Sequence, residues 1–174
     1  MHRIMVLLAL VSVVPRGIAQ KTRIDYDHGS SFSSYKTYRW VRTPARQWIE
    51  AQFPNQLMQE RIVKFVEEAL TSKGLKRTEA GGDLLVSYQM NLSAQQQFTT
   101  IGSGWGWDWG SDFATTTEQT IFTGTLIINM TDPHRNQLVF QGVSSGPISS
   151  RPQRNAKRLQ RSVNKIFEKY PPQP

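Results

Sequence analysis

The chain has 174 residues, a formal net charge of +8, 38% hydrophobic and 10% aromatic residues, and no cysteine. That suits one domain with a real core and is too aromatic for a low-complexity disordered segment. Disulfides, thiolate chemistry and a lipid-bearing cysteine are excluded.

The first element is Met1-His2-Arg3, then an apolar run from Ile4 to Val14, then Pro15, with small residues at Gly17 and Ala19. A basic start, an apolar centre and small residues before a cut are the pattern of a secretory signal peptide, here residues 1–19, cleaved before Gln20. The competing reading is an uncleaved anchor or interfacial helix. The run is shorter than the ~20 residues a span needs. Residues 20–174 are then expected to form a single exported domain, periplasmic or secreted, without a transmembrane segment. A basic exported chain points to an anionic envelope component as partner: phospholipid, lipopolysaccharide or an acidic protein. Export argues against nucleic acid.

Residues 22–27 (TRIDYD) alternate Ile24 and Tyr26 with charged neighbours, which predicts a strand. A turn at His28-Gly29-Ser30-Ser31 follows, then a second strand over YKTYRWV, residues 35–41. Residues 43–54 read as a connection. Residues 55–73 are the clearest helix: Met58, Ile62, Phe65, Val66, Ala69 and Leu70 keep three-four spacing. Asn55 is its expected N-cap, and Gly74-Leu75 its C-terminal cap. Residues 83–92 predict a half-solvated strand, with Leu84, Val86, Tyr88, Met90 and Leu92 on one face. A long Gly/Trp loop leads to a Thr/Ile-rich strand over 115–130. A turn at Asp132-Pro133-His134 and a strand over 137–143 complete a meander. Residues 153–169 predict a second helix, ended by Pro171 and Pro172. Strands grouped with two helices predict an α+β domain of two layers: an antiparallel-rich sheet of about five strands, with both helices on one face.

Several of these stretches resemble the bacterial domain-of-unknown-function family 4136. They are Asp25-Tyr26-Asp27, the run from Phe32 through Tyr35-Lys36-Thr37-Tyr38-Arg39-Trp40, Gly82 to Val86, the Gly/Trp loop, and the Tyr170-Pro171-Pro172 ending. The resemblance covers essentially residues 20–174. It implies an envelope protein, since many members are secreted lipoproteins, and it implies no activity. This chain lacks the lipid-bearing cysteine, so membrane anchoring does not carry over.

Asp25, Asp27 and His28 are close enough to suggest a cation site, but a firm site needs three or four convergent ligands, and no further set completes it. No metal and no cofactor is expected. For nucleophilic catalysis there is no cysteine and no Gly-x-Ser-x-Gly elbow, and His28 and His134 lie in turn signals. Asp108 and Asp112, in the Trp loop, could serve glycoside hydrolysis, which makes an envelope hydrolase the alternative function. A Gly-rich loop is poor support for it. No catalytic residue is assigned, and a non-catalytic binding or structural module is expected.

The candidate binding residues fall in two groups. Arg154, Arg158, Arg161 and Lys165 form a basic stripe on the last helix. Its plain alternative is a solvated helix face. Trp105, Trp107 and Trp109 alternate with Gly and Asp, so an extended backbone would put three indoles on one side. They could grip a partner or fold back on the domain. Gly102, Gly104, Gly106 and Gly110 make the loop costly to fix on binding, which favours self-packing.

Overall fold

The computed structural model describes the backbone of residues 20–41, 56–102 and 114–172 and, apart from 100–102 and 114–115, their side chains. The expected signal peptide, the 43–54 connection, the Asn55 cap and the three loop tryptophans lie outside these residues. The strands are β1 (Lys21–Tyr26), β2 (Thr37–Trp40), β3 (Lys76–Arg77), β4 (Leu84–Gly102), β5 (Ala114–Asp132) and β6 (Gln137–Pro147). The helices are α1 (Gln56–Ser72) and α2 (Pro152–Glu168).

The strands form one six-stranded sheet in the order β1-β6-β5-β4-β2-β3. The pairs β1/β6, β5/β6 and β4/β5 are antiparallel, while β2 runs parallel to both β3 and β4. The sheet is thus antiparallel-rich as expected, but mixed and one strand larger. The extra strand, β3, has only two residues, both charged and exposed. Nothing in so short a polar pair alternates, so the sequence pattern could not register it.

One face of the sheet is apolar. Tyr38, Leu84, Val86, Leu126, Ile128, Met130 and Phe140 are buried there. Over them lie α1, through Ile62, Val66, Ala69 and Leu70, and α2, through Leu159, Val163, Ile166 and Phe167. The two helices also contact each other. This is the expected two-layer arrangement. Gly142 on β6 lets α2 approach: a Cβ there would collide with the side chain of Ile166. α1 ends as its sequence implies. Gly74 takes φ +84°, its N–H bonds the Thr71 carbonyl at 2.9 Å, and the Leu75 N–H bonds the Leu70 carbonyl at 3.0 Å. Those two bonds and the buried Leu75 make a Schellman cap.

The largest departure from expectation lies in the middle of the chain. β4 and β5 pair residue for residue from Leu85↔Thr131 to Gly102↔Ala114. The connection between them is therefore only residues 103–113. Residues 93–101 are polar and lack apolar alternation, which is why they read as loop. β6 stops at the Thr123↔Pro147 pair, so beyond Ala94↔Phe122 the pair continues as a two-stranded ribbon, ~30 Å long at ~3.4 Å per residue. Exposure along one face of β4 follows this geometry: Leu84 is 0% exposed, Leu92 38% and Phe98 62%.

Candidate functional site

The basic stripe survives folding in altered form. On α2, Arg154, Lys157, Arg161, Lys165 and the following Lys169 are exposed, whereas Arg158 is partly buried. The Arg158 guanidinium donates to the Pro147 carbonyl at 2.8 Å and so ties the helix to the end of β6. Arg161 Nε donates to the Lys157 carbonyl at 3.4 Å. The ion pairs among the described residues involve Lys64, Arg77 and Arg135, and none involves an α2 cation. Successive turns of the helix are ~5.4 Å apart, inside the ~8 Å screening length of physiological salt. The exposed cations therefore act as one positive patch.

The opposite side of α2 is fixed by a polar seam. Ser162 and Ser144 are buried and hydrogen-bonded at 3.0 Å. Gln20 Nε2 bonds Ser162 Oγ and the Arg158 carbonyl, the latter at 3.3 Å. Buried hydroxyls need such partners. No periodic signal marked this seam, because serines within an apolar stripe look like interruptions.

The carboxylates considered for metal binding stabilise backbone instead. β1 ends at Tyr26, so alternation does not place Asp27 beside Asp25. The Asp27 carboxylate accepts from Gly29 N–H at 3.0 Å, Ser30 Oγ at 2.6 Å and Gln137 Nε2 at 3.1 Å, and lies 3.6 Å from Arg135 Nη1. The Ser30 and Gly29 bonds lower its pKa. The His28 ring lies 4.4 Å from that of Tyr26. Asp25 lines a shallow, open depression on the outer sheet face with Arg23, Gln141 and Val143. Asp83 accepts from the Lys36 and Thr37 N–H groups and from Thr37 Oγ1, each at 2.8 Å, which lowers its pKa too. Among the described residues, no three His, Asp or Glu side chains converge to hold a metal.

Asp132 is the hub of the strongest polar cluster. Burial works against its charge, yet bonds from Arg135, the His134 N–H and the Tyr35 hydroxyl outweigh it and hold its pKa at about 2. Arg135 Nε lies 3.0 Å from Asp132 Oδ2, and Arg135 Nη2 reaches both the Tyr35 hydroxyl at 3.0 Å and Ser30 Oγ at 2.5 Å. The cluster staples the β1–β2 region to the β5–β6 turn. The pattern of Tyr35, Asp132 and Arg135 was invisible in sequence, since the partners lie some hundred positions apart.

Asp108, Asp112, Trp105, Trp107 and Trp109 lie outside the described residues. The described structure gives only the frame from which they extend, the final Gly102↔Ala114 pair of the ribbon. No described helix is long and apolar enough to cross a membrane.

Residues 22–172 match the model of the domain of unknown function DUF4136. Among curated proteins no relative matches the chain. Among solved structures, a PDZ domain protein from Parabacteroides distasonis ATCC 8503 aligns with a TM-score of 0.57 at 15% identity. The alignment covers 90% of this chain and 36% of that one, so the chain spans little more than a third of the longer protein. At that identity the likeness concerns fold alone. A PelC dodecamer from Paraburkholderia phytofirmans aligns at a TM-score of 0.46 and 10% identity, over 86% of this chain and 97% of that one. A putative neuraminyllactose-binding hemagglutinin homolog from Helicobacter pylori aligns at 0.41 and 11% identity, over 80% and 87%.

Proposed function

The chain belongs to the DUF4136 family, and from that premise we propose that it is an exported protein of the bacterial envelope that works by binding an anionic component rather than by catalysis. The observation that carries this reading is the exposed cationic face of α2, where Arg154, Lys157, Arg161, Lys165 and Lys169 meet no acidic partner among the described residues. Unpaired cations on a rigid helix, itself held by Arg158 and the Ser144–Ser162 seam, attract phosphate-bearing or carboxylate-bearing surfaces and lose that attraction in salt. Trp105, Trp107 and Trp109 supply apolar contact in this reading, because indoles seat well at lipid and partner interfaces. The perturbed carboxylates support a non-catalytic role, since Asp27, Asp83 and Asp132 each spend their lone pairs on turns and strand ends.

Two measurements test this. Titration with phosphatidylglycerol vesicles, lipopolysaccharide and zwitterionic vesicles, followed by Trp fluorescence, is expected to give salt-sensitive binding to the anionic surfaces alone. Absence of a shift with every anionic surface would refute the binding role. N-terminal sequencing of protein recovered from the envelope fraction is expected to begin at Gln20. Retention of Met1 would refute cleavage.

A further inference from the structure

The sheet protects its two outer edges and leaves one long inner edge open. β1 is six residues long and carries Lys21, Arg23 and Asp25. β3 has two residues, Lys76 and Arg77. Shortness and charge are the usual devices against edge-to-edge pairing. β4 has neither. β2 pairs with it only from Leu84 to Val86, and the Val41 N–H bonds the Val86 carbonyl. From residue 87 to 102 no described strand lies on that side. The unpaired edge is ~50 Å long. It holds no charged residue and no proline, and its register with β5 is unbroken, without a bulge. The opposite edge of the ribbon, on β5, is shorter and carries Glu118.

We propose that this edge of β4 is an interface with a second copy of the chain, the two β4 strands pairing antiparallel about a two-fold axis. Three observations select that occupant. The chain carries a net +8, yet β4 is neutral along its whole length, so copies meet there without like-charge repulsion. Antiparallel pairing of identical strands is self-complementary and closes as a dimer. Finally, residues 91–99 of β4 and 116–120 of β5 are exposed, and a two-stranded ribbon is marginal in water, whereas four strands are not. Pairing across the axis makes a four-stranded sheet, β5-β4-β4-β5, from two marginal ribbons.

This inference is independent of the α2 reading, and its test leaves α2 intact. Sedimentation of the purified chain across a dilution series is expected to show a reversible dimer. The triple variant Ser93→Lys, Gln95→Lys, Gln97→Lys spreads charge along the strand, so any antiparallel register opposes like charges. It is expected to weaken the dimer by at least about tenfold. The control Gln153→Lys, Gln160→Lys, Asn164→Lys adds equal charge to exposed positions of α2 and is expected to leave the dimer in place. Circular dichroism identifies a variant that fails to fold; in that case hydrogen exchange on the unaltered chain decides, with protection of the β4 amides expected to fall on dilution. A monomer at all concentrations, or a dimer indifferent to the β4 lysines, overturns the proposal. So does β4 protection that persists in a monomer, which assigns the cover to another part of the same chain.

Discussion

Tyr35, Tyr38 and Trp40 come from one short stretch and meet three different environments. Tyr38 is 1% exposed, and burial pushes its pKa up to about 12. The Trp40 indole donates to Glu67 at 2.9 Å, and the Tyr35 hydroxyl donates to Asp132 at 3.0 Å. Tyr170 of the closing motif is buried among Phe32, Phe140 and Phe167, with ring centroids 5.4–6.1 Å away. Asp83, in the Gly-Asp-Leu motif, caps the start of β2. The described residues that carry the family resemblance are thus scaffold residues, which explains how the family is legible while its activity is not. Asp132 gives the sharpest test. Its folded pKa of about 2 lies below the ordinary 3.8, so its contribution to stability is complete above pH ~4 and is lost as pH falls toward 2. Asp27 and Asp83 shift in the same direction. Asp132→Asn is expected to cost about 1–3 kcal/mol near neutral pH and to flatten the acid limb of a plot of urea midpoint against pH. An unchanged acid limb would show that the Arg135 cluster contributes little.

The elements differ in how plainly the sequence announced them. α1 and α2 were legible because a buried face repeats at helical spacing, and both caps of the pattern, Gly74 and Pro152, are local signals. The core half of β4 was legible for the same reason, through alternation from Leu84 to Met90. The outer half was not, since both its faces meet solvent and its pairing partner, not its own pattern, makes it a strand. Of the candidate site, the cationic stripe was readable from spacing; the diversion of Arg158 to the Pro147 carbonyl and the Ser144–Ser162 seam depend on tertiary contacts. The contact between α2 and β6 rests on Gly142. Gly142→Ala is expected to destabilise the protein by about 1–3 kcal/mol through overpacking against Ile166, read as a lower denaturant midpoint with an unchanged slope. Gly146→Ala serves as the control, because its Cβ would meet nothing nearer than 3.5 Å.

At the scale of the whole molecule, two surfaces are distinguished by charge. α2 concentrates exposed cations on the helical layer, while β4 carries none along an open edge. A symmetric dimer through β4 would present two copies of α2, so two weak electrostatic contacts would act together and raise avidity without new chemistry. The central claim, that the α2 face supplies the attraction, is tested most directly by substituting Arg154, Lys157, Arg161 and Lys165 with Gln. All four are exposed, and their removal leaves Arg158 and the buried seam in place. Co-sedimentation of this variant with phosphatidylglycerol vesicles, beside the unaltered chain, is expected to show binding reduced at least about tenfold, with residual binding insensitive to salt. Equal binding by the two proteins, with the same salt dependence, would contradict the account.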